Sequence, residues 1–223
     1  DVPSTKILTA LTETGLKMLG LNTRRGDVKR GENGLSAIVE REVEARANID
    51  EAIAYAIAIE AKNVHVMAGF AVGKQAHTTF IRNLAYACTN AAQHRIKILI
   101  EPLNEYDVPG YFLKTTDQAV GIIDEVGFTN LKLMFDCYHV QLMEGDLTHR
   151  LEKLLPHIGH IQFASVPDRG APDHGEINYE HVFQVISNLG YDCPTGAEYK
   201  PKCPTGQSLG WLRKSQAIAS NVL

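Results

Sequence analysis

Short runs of Ile, Leu and Val recur along this chain, separated by helix-length segments. That alternation restricts it to an architecture of buried parallel strands. Four of the runs finish on an oxygen-donor side chain. Lys97-Ile98-Leu99-Ile100 leads into Glu101, and Leu131-Lys132-Leu133-Met134-Phe135 into Asp136. Ile158-Gly159-His160-Ile161 leads into Gln162, and Thr195-Gly196-Ala197 into Glu198. A carboxylate at the end of a buried strand is costly unless it is paired, hydrogen-bonded or metal-bound. Three carboxylates and one amide converging in one place make a site for a hard divalent cation.

Strand and helix signals alternate from end to end. Strands are expected near residues 17–22, 63–68, 97–101, 131–136, 158–163 and 195–199. Helices are expected at 3–13, 43–60, 80–93, 116–126 and 148–155, after Asn178, and at 209–219. Periodicity puts Ile49, Ile53, Ala56 and Ile57 on one face of the 43–60 helix. Ala119, Ile122, Ile123 and Val126 form the stripe of the next but one, with Gly127 at its C-terminal cap. Asn178 is an N-cap for a helix with Val182, Val185, Ile186 and Leu189 inward. Parallel strands with right-handed crossovers give a doubly wound sheet or a closed barrel. Polar residues at the ends of several successive strands favour the barrel, because a doubly wound sheet concentrates its site at one switch point. No GxGxxG fingerprint and no GxxxxGK[ST] loop is present, so the dinucleotide and P-loop readings lose their support. A closed barrel of this class calls for more strands than the six read here, and the chain opens on a helix. A β-α-β segment is therefore expected ahead of Asp1, and residues 1–223 are read as a single, N-terminally incomplete TIM-barrel domain.

A net charge of −4 and the lack of a long basic stretch argue against a nucleic-acid partner. No uninterrupted apolar segment is long enough to cross a bilayer, and Asp1-Val2-Pro3-Ser4 has no signal-peptide character. Cys88, Cys137, Cys193 and Cys203 show no CxxC spacing and read as reduced thiols of a cytoplasmic protein.

The segments Ile100-Glu101-Pro102-Leu103-Asn104, Phe135-Asp136-Cys137-Tyr138-His139, Gly159-His160-Ile161-Gln162 and Glu198-Tyr199-Lys200-Pro201 resemble the hydroxypyruvate isomerase family. That family is one of the xylose-isomerase-like (β/α)8 barrels and includes 2-oxo-tetronate isomerases. Asn22-Thr23-Arg24-Arg25-Gly26-Asp27, His65-Val66-Met67-Ala68-Gly69, Asp107-Val108-Pro109-Gly110-Tyr111-Phe112 and Val166-Pro167-Asp168-Arg169 extend the resemblance over essentially the whole chain. It implies a divalent metal, Mg²⁺ or Mn²⁺, held by Glu101, Asp136, Gln162 and Glu198, with Glu101 and Glu198 as the acid–base pair. It also implies interconversion of hydroxypyruvate and 2-hydroxy-3-oxopropanoate (tartronate semialdehyde). The chain departs from the family at Arg24, where members often carry Pro, at Ala171, where many have Glu, and at Cys193, a common Gly. Of these, Ala171 bears on loop contacts and substrate preference.

A 1,2-carbonyl shift removes a proton from one carbon and delivers one to its neighbour through an enediolate. Carboxylates on opposite sides of the substrate serve as base and acid. All-oxygen ligation favours Mg²⁺ or Mn²⁺ over Zn²⁺. His139, three residues after Asp136, is within reach of the same pocket; the resemblance implies that it contacts the substrate, and the competing reading is a loop histidine satisfying backbone. Asp107 is read as a ligand of a substrate hydroxyl or as the cap of a turn before Pro109. Arg169 is read as a fork for the substrate carboxylate or as an ion pair with Asp168 or Asp173. His65 and His160 are expected to pack inside the barrel as polar groups with a hydrogen-bond partner. The partner is then a small hydroxy-oxo acid, and a homo-oligomer stays open. Three alternatives stand beside this reading: a 2-oxo-tetronate isomerase or ketose 3-epimerase on the same site, a metal-dependent hydrolase of the endonuclease type, and a non-catalytic binding barrel. The hydrolase calls for a His-rich zinc cluster and a basic groove, against which Gln162 and the acidic charge both speak.

Overall fold

The computed structural model describes residues 2–212. The chain packs as two units, Asp1–Met134 and Phe135–Leu223.

In the first unit, helix α1 (Ser4–Thr14) precedes strand β1 (Gly20–Asn22). Helix α2 (Glu42–Ala58) leads to β2 (Asn63–His65), α3 (Gly73–Ala92) to β3 (Lys97–Ile100), and α4 (Thr116–Val126) to β4 (Leu131–Asp136), whose last two residues fall in the second unit. Neighbouring strands pair in parallel and in chain order. Leu21 lies opposite Val64, Val64 opposite Ile98, and Ile98 opposite Leu131. Helices α2, α3 and α4 are thus crossovers between adjacent parallel strands, as the alternation requires.

Local chemistry sets the ends of these elements. The Thr115 hydroxyl accepts the Gln118 amide to start α4, while the Gln118 side chain accepts the Lys114 amide. Gly127 ends the helix in the left-handed conformation and donates back to the Ile123 carbonyl. The Asn130 side chain then donates to the Cys88 carbonyl at 2.9 Å, tying the start of β4 to α3. Leu84, Ala87 and Cys88 of α3 and Ile98 and Ile100 of β3 are buried in the core.

The second unit holds the end of β4 and helices α5 (Cys137–Met143) and α6 (Leu147–Leu154). Strand β5 (Ile158–Phe163), helix α7 (Tyr179–Asn188) and strand β6 (Thr195–Ala197) follow. Strands β5 and β6 are parallel, with Gln162 opposite Gly196. Phe163 is surrounded by the rings of Tyr179, Phe183 and Trp211, with centroids 4.9–5.7 Å away. The Tyr179 hydroxyl closes onto the loop after β5, donating to the Ala164 carbonyl and accepting from its amide.

The six expected strands all form, two of them with the expected bounds. Three differences are instructive. Ile57 is not inward: it is 43% exposed while Ile49, Ile53 and Ala56 are buried, because α2 contributes a narrower stripe than the apolar count implies. Helix α3 starts at Gly73, seven residues ahead of the expected 80, since its first turns are polar and carry no apolar period. Helix α5 was not anticipated as an element; it begins directly after β4, with Asp136 as its cap. Of the expected helix at 209–219, residues 213–219 lie outside the described residues.

Candidate active site

In the first unit the strand ends carry the polar groups. Glu101 follows β3 and is only 6% exposed. Beside it stands His65, the last residue of β2, with Nδ1 3.6 Å from the Glu101 carboxylate. Burial pushes the His65 imidazole down to about 4, so it is neutral at physiological pH. Neither of its nitrogens has a hydrogen-bond partner among the described residues.

Tyr111 is fully buried, and its hydroxyl accepts the Ala68 amide at 2.9 Å. Its phenol is pushed far up, first by burial and then by Glu101, with Arg25 acting in the opposite direction. Asp107 sits in an exposed turn in which its amide donates to the Asn104 side chain and its carboxylate accepts from the Asn104 amide nitrogen.

The loop after β1 is fastened to the loop after β2. The Thr23 amide donates to the His65 carbonyl, and the Thr23 hydroxyl accepts from Met67. Gly34 bridges Ala68 at φ 110°, and a Cβ there would come within 2.6 Å of the Met67 backbone. Only glycine permits that approach. Arg25, next to this junction, donates through Nε to the buried Asn33 side chain at 2.7 Å.

In the second unit Asp136 is buried and has two tasks. Its Oδ1 accepts the Tyr138 amide, capping α5. Its Oδ2 lies 3.7 Å from His139 Nε2 and 3.8 Å from an Arg169 nitrogen. The same Arg169 nitrogen donates to Glu198 at 2.6 Å, and the guanidinium stands 5.0 Å over the Tyr138 ring. Arg169 is therefore not the surface ion pair with Asp168 or Asp173 that its neighbours in sequence suggest. Asp168 is held instead by His174 and Lys202. On β5 the Gln162 side-chain oxygen is buried, with no hydrogen-bond partner among the described residues.

Asp136, His139, Arg169 and Glu198 are thus gathered in the second unit, and Glu101 with His65 in the first. Sequence reasoning missed three contributors: His65 as the neighbour of Glu101, Tyr138 as the platform under Arg169, and Asn33 as the anchor of Arg25. His65 carried no such signal, since it sits within the run Val64-His65-Val66-Met67-Ala68 and does not end it.

Parallel strands joined by crossover helices, with polar side chains gathered just past the strand ends, define an enzyme framework of the α/β-barrel class. Residues 2–215 match the model of the xylose isomerase-like TIM barrel family, and the chain belongs to that family. It is 44% identical over 207 residues to a 2-oxo-tetronate isomerase of Cupriavidus necator, covering 91% of this chain and 80% of that protein. It is 42% identical over 196 residues to the hydroxypyruvate isomerase of Escherichia coli, covering 86% and 76%. A crystal structure described as an AP endonuclease of family 2 from Brucella melitensis superposes with a TM-score of 0.93 at 40% identity, covering 96% of this chain and 84% of the other. A D-psicose 3-epimerase of Clostridium cellulolyticum, 14% identical with a TM-score of 0.75 over 93% of this chain and 74% of its own, shares the fold. The chain is an isomerase-type enzyme of this family. No helix among the described residues is long and apolar enough to cross a membrane.

Proposed function

We propose that the chain is a metal-dependent isomerase interconverting hydroxypyruvate and 2-hydroxy-3-oxopropanoate. The observation that carries the metal reading is Gln162. A buried amide oxygen without a hydrogen bond is costly, and a cation is the partner such an oxygen fits. Glu101, Asp136, Gln162 and Glu198 would supply four oxygen donors, a set suited to Mg²⁺ or Mn²⁺. When bound, the cation would acidify the substrate C–H and stabilise developing negative charge.

The chain's own groups do the rest. Glu101 and Glu198 exchange the proton between the two carbons, one as base and the other as acid. Burial holds Glu101 away from bulk water, which protects an enediolate from side reactions. Arg169 orients Glu198 through their hydrogen bond. His139, Asp107 and Arg169 are assigned to substrate oxygens. The enzyme is read as cytoplasmic, without nucleic-acid or membrane partners; a homo-oligomer is compatible with it.

A second reading, a 2-oxo-tetronate isomerase, is favoured by the Cupriavidus necator relative. It uses the same residues on a longer acid. The hydrolase suggested by the description of the Brucella structure is disfavoured, because Gln162 offers an amide oxygen where a zinc cluster needs imidazole.

The test is NMR in D₂O with hydroxypyruvate, using protein stripped of metal and then given Mg²⁺ or Mn²⁺, with Glu198→Gln as control. Metal-dependent aldehyde formation lost in the variant supports the reading. Turnover of the four-carbon acid alone favours the second. Turnover of neither acid overturns both.

A further inference from the structure

The arginines of the described chain divide by what answers their charge. Arg24 pairs with Glu51, Arg41 with Glu32 and Glu44, Arg82 with Glu42, and Arg150 with Glu144. Arg169 answers Glu198 and stands near Asp136. Arg46 stands 3.8 Å from Glu42. Arg30 and Arg95 are exposed and have no carboxylate within ion-pair distance among the described residues. Arg25 is exposed and lacks a carboxylate too, but unlike those two it is gripped through Nε by a buried asparagine. An amide oxygen orients a guanidinium without neutralising it. The outer edge of the fork, with its parallel N–H donors, is left to meet a planar anion.

The location is as specific as the grip. Arg25 follows β1 by three residues. The Arg25 carbonyl accepts the Gly34 amide, and Gly34 bridges Ala68, whose amide is bonded to Tyr111. The Tyr111 hydroxyl in turn feels both Arg25 and Glu101. Arg25 is therefore fixed on the strand-end side of the first unit, in the same electrostatic neighbourhood as the proposed catalytic Glu101.

We infer that Arg25 is the specificity residue that receives the carboxylate of the substrate, so that the site selects oxo acids over neutral ketoses. The inference rests on the isomerase reading for what the substrate is, but not for its own geometry. Arg169 is already engaged by protein carboxylates, whereas Arg25 has an orienting partner and no acid. A carboxylate on the fork would add two charge-assisted hydrogen bonds that a hydroxymethyl group cannot make.

The experiment uses the full chain in Mg²⁺ buffer: wild type, Arg25→Met, Arg25→Lys, and Arg30→Met as control. Glycerate, which is hydroxypyruvate with its ketone reduced, and glycerol, which lacks the carboxylate, are titrated by NMR. Steady-state turnover of hydroxypyruvate is measured in parallel. Expected are glycerate binding weakened by about tenfold to a hundredfold in Arg25→Met, a matching rise in KM with kcat little changed, and partial rescue by Arg25→Lys. Glycerol binding and the Arg30→Met protein should be unaffected. If wild type turns over hydroxypyruvate and Arg25→Met binds glycerate as tightly as wild type, the inference is wrong and the isomerase reading stands. If glycerate binding depends on Arg25 but no acid is turned over, the anion site stands and the reaction does not. A wild type that neither binds glycerate nor turns over any acid overturns both.

Discussion

Glu101 and Glu198 are asked to work as a pair, yet they are housed in opposite ways. Glu101 is 6% exposed, set at the end of β3 beside a neutral imidazole. The Glu198 side chain is 52% exposed and is fastened by a hydrogen bond to Arg169, itself stacked over Tyr138. The first carboxylate is placed by packing; the second is placed by one charge-assisted bond. Packing is rigid and a single tether is not, so under the proposed reading Glu198 would be the member of the pair able to move toward substrate.

The largest expected effect tests the pairing itself. Glu101→Gln and Glu198→Gln should each lower turnover by about a hundredfold to ten-thousandfold, with circular dichroism unchanged. Retained turnover in Glu101→Gln would break the comparison at once, leaving the exposed glutamate to act alone. The tether is tested by Arg169→Met, which should reduce turnover by about tenfold or more. Full activity in that variant would show that Glu198 needs no orientation.

The rigidity attributed to the first unit has its own test. At Gly34 an added methyl meets the Met67 backbone and a φ of 110°. Gly34→Ala is expected to destabilise by about 2–4 kcal/mol, read by urea unfolding. At Gly145, in the second unit, φ is also positive but the space is open. Gly145→Ala should cost only about 1 kcal/mol. Equal losses at the two sites would remove the claim that the loop junction beside Arg25 is the stiffer support.

Asp136 separates structure from chemistry within one residue. Asp136→Ala removes the cap of α5 and should cost about 1 kcal/mol in metal-free protein. Asp136→Asn keeps an oxygen for the Tyr138 amide and should cost less, while lowering Mn²⁺ affinity at least about tenfold. Calorimetric titration with Mn²⁺, set beside the two melting curves, distinguishes the roles.

The strand ends were legible in the sequence because a buried strand announces itself by an apolar run, and the polar residue ending it stands out. Glu101, Asp136 and Gln162 were found that way, and Glu198 by the same rule at the end of a run with less apolar content. What the sequence hides is partnership across distance. That Arg169 reaches Glu198, 29 positions away, and not the adjacent Asp168 depends on the turn after β5, where Arg169 takes a left-handed φ of 52°. His65 carries no local mark of its proximity to Glu101, because parallel pairing of β2 and β3 creates it. Asn33 was invisible for a related reason: an asparagine between a glutamate and a glycine reads as loop until the fold buries it.

The smallest expected effect concerns the surface pair that Arg169 leaves to others. Asp168 lies well below the ordinary carboxylate range, first because His174 donates to it and second because Lys202 does. His174 is correspondingly raised, chiefly by Asp168 and then by Asp173. A depressed acid contributes stability above its unfolded value, about pH 4, and loses it as pH falls through the folded value. A raised histidine contributes below its unfolded value, about pH 6.5, and loses it as pH rises through the folded one. The contact is therefore at full strength between those limits and fades on either side. Both side chains are well exposed, at 32% and 47%, so screening reduces its worth to about 0.5 kcal/mol or less. Asp168→Asn should lower stability by that amount between pH 5 and 6, measured by urea unfolding, without altering turnover. A loss of turnover would mean that the loop holding Arg169 against Glu198 depends on this surface pair, and the tether would then extend from Lys202 to the active site.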